Sequence, residues 1–230
     1  MSFVVKTLVC GGVVLLFLAA RALSARLGNP PWASPVLIAA LAVGVLLWAT
    51  AVPVADFETA SAPLRAALGP AIVALGVFVH RGRAVIVAQP VPLLVAVIGG
   101  TTTGVISAVG LAHLVGLTPL LTQAVATKTL STPFAVAVAT SVGGPVPLAA
   151  ALAVLTGVIG ALLVPPLLRA VRVRGAAASG VAIGVAAHLV GTDWLTRRDP
   201  RAAGFSAVAM VLVGLLAAVA LPLVWSWLIG

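Results

Sequence analysis

Lys128 is the only charged residue between Arg83 and Arg169. It stands in the run Gln123-Ala-Val-Ala-Thr127-Lys128-Thr129-Leu130-Ser131-Thr132-Pro133-Phe134. A lysine deep in lipid costs about 2.5–3.5 kcal/mol on insertion scales, so such a residue faces a cavity, a partner or the interface. Pro133 removes a backbone donor and disfavours helix at Thr132. Four hydroxyls, at 127, 129, 131 and 132, can satisfy the freed backbone groups or coordinate a ligand. A helical limb starting after Pro133 would present unpaired N–H groups and a positive dipole end, which together with lysine suit an anion. The competing reading is that Lys128 snorkels to the interface and the hydroxyls only tolerate a kink. No Asp or Glu occurs between Glu58 and Asp193, so a buried Lys128 has no carboxylate nearby in sequence, and a bound anion would supply one.

A second polar stretch reads Gly180-Val-Ala-Ile-Gly184-Val-Ala-Ala-His188-Leu-Val-Gly191-Thr192. Gly180 and Gly184 form a small-xxx-small face that permits close helix packing. His188 lies one turn beyond Gly184 on that face. Its imidazole either donates to a carboxylate and carries a coupling proton, or is a packed neutral group bonded to a backbone carbonyl. Gly191 and Thr192 are expected to break the segment before Asp193.

The elements that must hold these residues follow from composition. Of 230 residues, 62% are hydrophobic and 7% charged, with a mean hydropathy of +1.28. Soluble domains carry about a quarter charged residues. One cysteine, Cys10, excludes an internal disulfide. Long continuous apolar runs exclude a barrel, leaving an all-α polytopic membrane protein. The net charge of +9 sits in short punctuation between apolar runs, and tyrosine is absent, so nucleic acid is not a partner. Arg21 and Arg26 follow the first apolar run instead of preceding it, which argues for a retained helix over a signal peptide.

Six spans are expected near 4–20, 35–54, 66–79, 91–115, 146–168 and 204–228. Two further segments, 122–142 and 178–192, are interrupted by Gly, Thr, Ser and Pro. With Arg21, Arg26, Arg81, Arg83, Arg169 and Arg172 placed in the cytoplasm, the N-terminus lies outside. Segment 122–142 then begins and ends outside, and 178–192 begins and ends inside. Both are expected to enter and return, with opposite sense, as broken helices do in secondary transporters. Neither HExxH, P-loop nor paired carboxylates occur, so an enzyme is not expected, and no cofactor or metal is implied.

At these segments the chain resembles the LrgB/CidB family of bacterial membrane proteins. A family motif of the form Pro-Lys-Ser-Val-Thr-Thr-Pro-Ile-Ala is matched by Thr127 to Ala135. A Gly-Gly pair is matched by Gly143-Gly144, and an Ile/Leu-Thr-Gly-Ile-Leu-Gly-Ala pattern by Leu155 to Ala161. The stretch Arg-Gly-x-Ala-x-Gly-x-x-Ser-His-x-x-Gly-Thr is matched from Ser179 to Thr192, and Gly-Ala-Phe-Ser by Ala203 to Ser206. Pro35 and Gly69-Pro70 also fit. Thr127, Ser179, Ala187 and Ser34 depart from the pattern, and the acidic residue before Gly204 is missing.

The resemblance covers essentially the whole chain and implies one domain, 1–230, in the plasma membrane. It implies either of two functions. One is secondary transport of small monocarboxylates of the glycolate, glycerate, lactate or pyruvate type, with or without proton coupling, as in plastid relatives. The other is holin- or antiholin-like regulation of murein hydrolase export and autolysis with a small LrgA/CidA-type membrane partner. The residues favour transport of a small organic anion. Lys128 would pair with its carboxylate, and Thr129, Ser131, Thr132 and the amides near Pro133 would hydrogen-bond it. His188 would contact the 2-substituent or carry a proton, and Gly191 and Thr192 would line the opposing tip. A homodimer is common among such carriers, though no residue here specifies one.

Overall fold

The structure, a computed structural model, describes residues 3–229. Its helices are α1 (Phe3–Arg26), α2 (Pro35–Thr50), α3 (Val54–Ala60), α4 (Ala62–Ala66), α5 (Leu68–Arg81), α6 (Arg83–Ala88), α7 (Pro90–Leu114), α8 (Pro119–Ala126), α9 (Thr132–Ser141), α10 (Val146–Ala170), α11 (Ala176–Thr196) and α12 (Pro200–Ile229). No strand occurs among the described residues. Six stretches are long and apolar enough to cross a membrane: Phe3–Arg26, Ala62–Arg81, Pro90–Leu114, Val146–Ala170, Ala176–Thr196 and Pro200–Trp225. Large apolar side chains such as Leu15, Ile106, Ile159 and Val219 point outward, as lipid-facing residues of a multi-pass protein do. The all-α membrane architecture expected from composition is therefore present.

The chain forms two compact units, Met1–Ala71 and Ile72–Gly230. In the first, α1 packs on α2. Ser34 starts α2, its hydroxyl accepting from the Leu37 amide at 3.3 Å, with Pro35 in the first turn. Ala51 ends it in the left-handed conformation, φ 52°, and the Val52 amide donates back to the Leu47 carbonyl at 3.2 Å. Pro53 then prevents continuation. The span expected over 35–54 is thus a 16-residue helix, about 24 Å long against a hydrocarbon core of about 30 Å.

The second unit carries both interrupted segments, and both fold back. Gln123, midway along α8, donates through Nε2 to the Val142 carbonyl just past α9 at 3.0 Å. A Cβ added at Gly144 would lie 3.0 Å from Gln123 Cβ, and Ala124 and Ala139 share one buried cluster. The mouth of α8 and the exit of α9 are therefore side by side, and 119–141 is a re-entrant hairpin.

The 21 residues of α11 would span about 31 Å if straight. That would put Gly180 about 24 Å before the end of the helix, far from the start of α12. Instead, a Cβ on Gly180 would press on the Ala202 carbonyl and Phe205, and one on Gly184 on the Ser206 backbone. Residues 180 and 184 thus run parallel to 202 and 206. The chain reverses at His188, whose φ of 36° and ψ of −125° lie outside the helical region. Gly191 then returns past Ile183 and Ala187, whose side chains a Cβ there would meet at 2.6 Å. The break falls at His188, not at Gly191-Thr192. Gly191 serves instead as the site of close approach between the two limbs.

The hairpins have opposite sense. The first is attached between the end of α7 and the start of α10; the second between the end of α10 and the start of α12. Their bases therefore lie at opposite ends of α10. Each tip stops near the middle of a spanning helix, where a glycine receives it. Gly104 of α7 faces Thr129, Gly157 of α10 faces His188, and Gly214 of α12 faces the Phe134 ring. In lipid, helices associate through close packing and not through exclusion of water, so these glycines set how near the tips approach.

Candidate functional site

The first tip is the five-residue link between α8 and α9, residues 127–131. The Thr127 hydroxyl donates to the Ala124 carbonyl at 2.9 Å and closes the end of α8. Leu130 is fully buried and anchors the link in the apolar core with Phe134, Val97 and Val105. Ser131 begins α9 with φ −65° and ψ 149°, but its hydroxyl makes no capping bond. The first bond of the new limb runs from the Ala135 amide to the Ser131 carbonyl, 2.9 Å. The amides of Thr132 and Phe134 precede it, and Pro133 has none. Lys128, Thr132 and Pro133 are half-buried at this helix start.

The second tip is His188. Its ring lies over Gly157: a Cβ there would sit 2.6 Å from Cε1 and 3.0 Å from Nδ1. Its carbonyl accepts from the Thr192 hydroxyl at 2.6 Å, and that hydroxyl also pairs with Ser206 Oγ at 2.7 Å. Thr192 and Gly191 thus hold the return limb, to α12 and to the entering limb respectively. Ser206 belongs to the Gly-Phe-Ser run read in the sequence, which gave it no role; here it fastens the hairpin to α12.

The tips converge on one stretch of α7. Val185, three residues before His188, meets Gly100, while Thr129 meets Gly104. These glycines are four residues, or about 6 Å, apart. Seven buried side-chain polar atoms lack a hydrogen-bond partner among the described residues, and four cluster here: Thr101 Oγ1, Thr129 Oγ1, Ser131 Oγ and His188 Nε2. Leaving such a group unmet costs about 1–3 kcal/mol each, and native proteins satisfy most of them. Thr129 and Ser131 share their link with Lys128, and Thr101 is next to Gly100 and one turn from Gly104, the glycines that the two hairpins meet. Thr101 escaped the sequence reading because it lies inside a continuous apolar span; the only hint is its setting in Gly99-Gly100-Thr101-Thr102-Thr103-Gly104.

A cavity of about 500 Å³ runs between the first half of α7 and the entering limb of α11. Gln89 and Ala177 lie at its outer end, and Gly100 and Val185 at its inner end. No cluster of residues able to hold a metal occurs among the described residues.

Residues 13–227 match the model of the LrgB-like family. YxaC of Bacillus subtilis, an uncharacterised protein, is 29% identical over 198 residues, 86% of each chain. YwbG of the same organism, also uncharacterised, is 27% identical over 216 residues, covering 94% of this chain and 95% of that one. The plastidal glycolate/glycerate translocator 1 of Arabidopsis thaliana is 30% identical over 149 residues, 64% of this chain but 29% of its own. No solved structure matches this chain.

Proposed function

The chain belongs to the LrgB-like family, whose members here include a translocator, and on that premise we propose that it is a secondary carrier of small 2-hydroxy or 2-oxo monocarboxylates. One observation carries the reading: unpartnered hydroxyls and an imidazole nitrogen lie with Lys128 on or beside two opposed hairpins that reach the same stretch of α7. Lys128 offers the charge for a carboxylate. Thr129, Ser131, Thr132 and the amides flanking Pro133 offer hydrogen bonds to its oxygens. His188 offers Nε2 to the 2-substituent or to a coupled proton. Gly191 and Thr192 act one step back, holding His188 in place.

Alternating access follows from the hairpins. Each closes the site from one end of α10, and moving either limb pair from its glycine seat opens that end. The cavity beside Gly100 is the approach from the end where the second hairpin is based. That end carries Arg169, Arg172, Arg197 and Arg198, so we place it in the cytoplasm of the plasma membrane and the N-terminus outside. A cysteine at Arg197 labelled only from inside supports this orientation; labelling from outside reverses it.

The test of the function is uptake by proteoliposomes holding this protein alone. Labelled glycolate, glycerate, lactate and pyruvate are compared with chloride and a neutral polyol, with and without a pH gradient. Saturable uptake restricted to the acids supports a carrier, and acceleration by the gradient identifies proton coupling. No uptake by folded protein transfers the role to partner-dependent regulation with a small LrgA/CidA-type protein, examined by co-reconstitution.

A further inference from the structure

We infer that Thr101, on the spanning helix α7, joins His188 in reading the oxygen on C2 of the substrate. The inference rests on the carrier reading above and deepens it. Thr101 is 6% exposed, and its hydroxyl has no partner. Of the mid-helix threonines among the described residues whose hydroxyls make no hydrogen bond, Thr101 is buried, whereas Thr102 and Thr103 are exposed and Thr156 is half-buried. Thr7, Thr50, Thr59, Thr122, Thr140 and Thr196 all donate to the carbonyl four residues earlier, at 2.7–3.1 Å. This back-bonding is the ordinary way a helical threonine is satisfied. Thr101 does not bond the Val97 carbonyl in this way, although it lies in the middle of a continuous helix.

Its neighbours place it at the tips. Val97 and Val105, one turn to either side on the same buried stripe, share a core cluster with Leu130 and Phe134. Leu130 adjoins Ser131, a further hydroxyl without a bond, and Phe134 lies one turn beyond it. Gly104, one turn on from Thr101, receives Thr129, and adjacent Gly100 receives Val185 of the second hairpin. Of the four unpartnered groups named above, Thr101 is thus the one supplied by a spanning helix and not by a hairpin. The lysine and the α9 amides suit the carboxylate end of an acid, which leaves Thr101, with His188, for the carbon next to it. A hydroxyl both donates and accepts, so it can donate to a 2-oxo group and accept from a 2-hydroxyl. Such a group discriminates strongly against an analogue that lacks the oxygen.

The experiment is competition against labelled glycolate uptake in proteoliposomes, with unlabelled lactate or propionate. The two competitors share a carbon skeleton and differ at the C2 oxygen. Wild type should favour lactate. Thr101→Val, which keeps the shape, should reduce the lactate advantage by about five- to tenfold and leave the propionate inhibition constant unchanged. Thr101→Ser should retain the advantage, which separates lost chemistry from lost folding. A Thr101→Val protein that keeps the full lactate advantage overturns the assignment alone. So does one in which both competitors weaken equally, or a Thr101→Ser protein that behaves like Thr101→Val. Wild type that takes up no glycolate overturns the carrier reading, and this assignment with it.

Discussion

The hairpin α8–α9 and the hairpin within α11 enter from opposite ends and stop at the same depth, but they use their polar groups in opposite ways. In the second, nearly every polar or small residue is engaged in holding it. Gly180 and Gly184 lie on the backbone of α12, Gly191 admits Ile183, and Thr192 bonds both His188 and Ser206. Only His188 Nε2 is left over. In the first, the tip is a five-residue link in which Thr129 and Ser131 are buried without partners, and only Thr127 is used structurally. The comparison teaches that one hairpin keeps hydroxyls free, which on the proposed function would supply most of the binding chemistry, while the other is a fixture that presents one imidazole.

Substitutions can break this contrast. Gly184→Ala places a methyl against the Ser206 backbone, which cannot rotate aside. We expect the largest loss of stability there, about 3 kcal/mol, seen as a lowered detergent melting temperature. Gly104→Ala meets only the Thr129 side chain, at 2.8 Å. It should melt close to wild type and lose uptake, because Thr129 must turn away. Equal destabilisation by both glycine variants would erase the distinction.

The hydroxyls sharpen it further. Thr192→Val removes two hydrogen bonds and leaves Ser206 Oγ buried without its partner, a loss of about 1–2 kcal/mol. Ser131→Ala removes a hydroxyl that bonds nothing in the protein. Its melting temperature should be unchanged or slightly raised, while the Michaelis constant for the acid rises about tenfold. A Ser131→Ala protein that is destabilised as much as Thr192→Val would show that the first hairpin is a fixture too.

Much of this architecture was legible in the sequence. The break at Thr127–Pro133 announced itself through proline, clustered hydroxyls and a lone lysine. The arginines led to both interrupted segments returning to the side they came from, and the Gly180/Gly184 face announced close helix packing, which the structure places against α12. What was hidden depends on tertiary partners. His188 takes the turn conformation because the limbs on either side are held by α12 and Gly191, which no local preference encodes. The glycines at 104, 157 and 214 look like ordinary helix residues until the tips are seen against them. Thr101 reads as a tolerated polar residue in a span, and only its burial without a hydrogen-bond partner marks it. The second expected span proved shorter because Ala51 closes a Schellman-type turn ahead of Pro53, and alanine is not a residue that signals such a stop.

The central claim is that a carboxylate is held by Lys128 between the two tips. It is tested most directly by initial rates of labelled glycolate uptake for wild type, Lys128→Ala and Lys128→Arg, reconstituted at matched density with folding checked by melting. The account predicts saturable wild-type uptake, none above background for Lys128→Ala, and partial recovery for Lys128→Arg. Uptake by folded Lys128→Ala at the wild-type rate would contradict it.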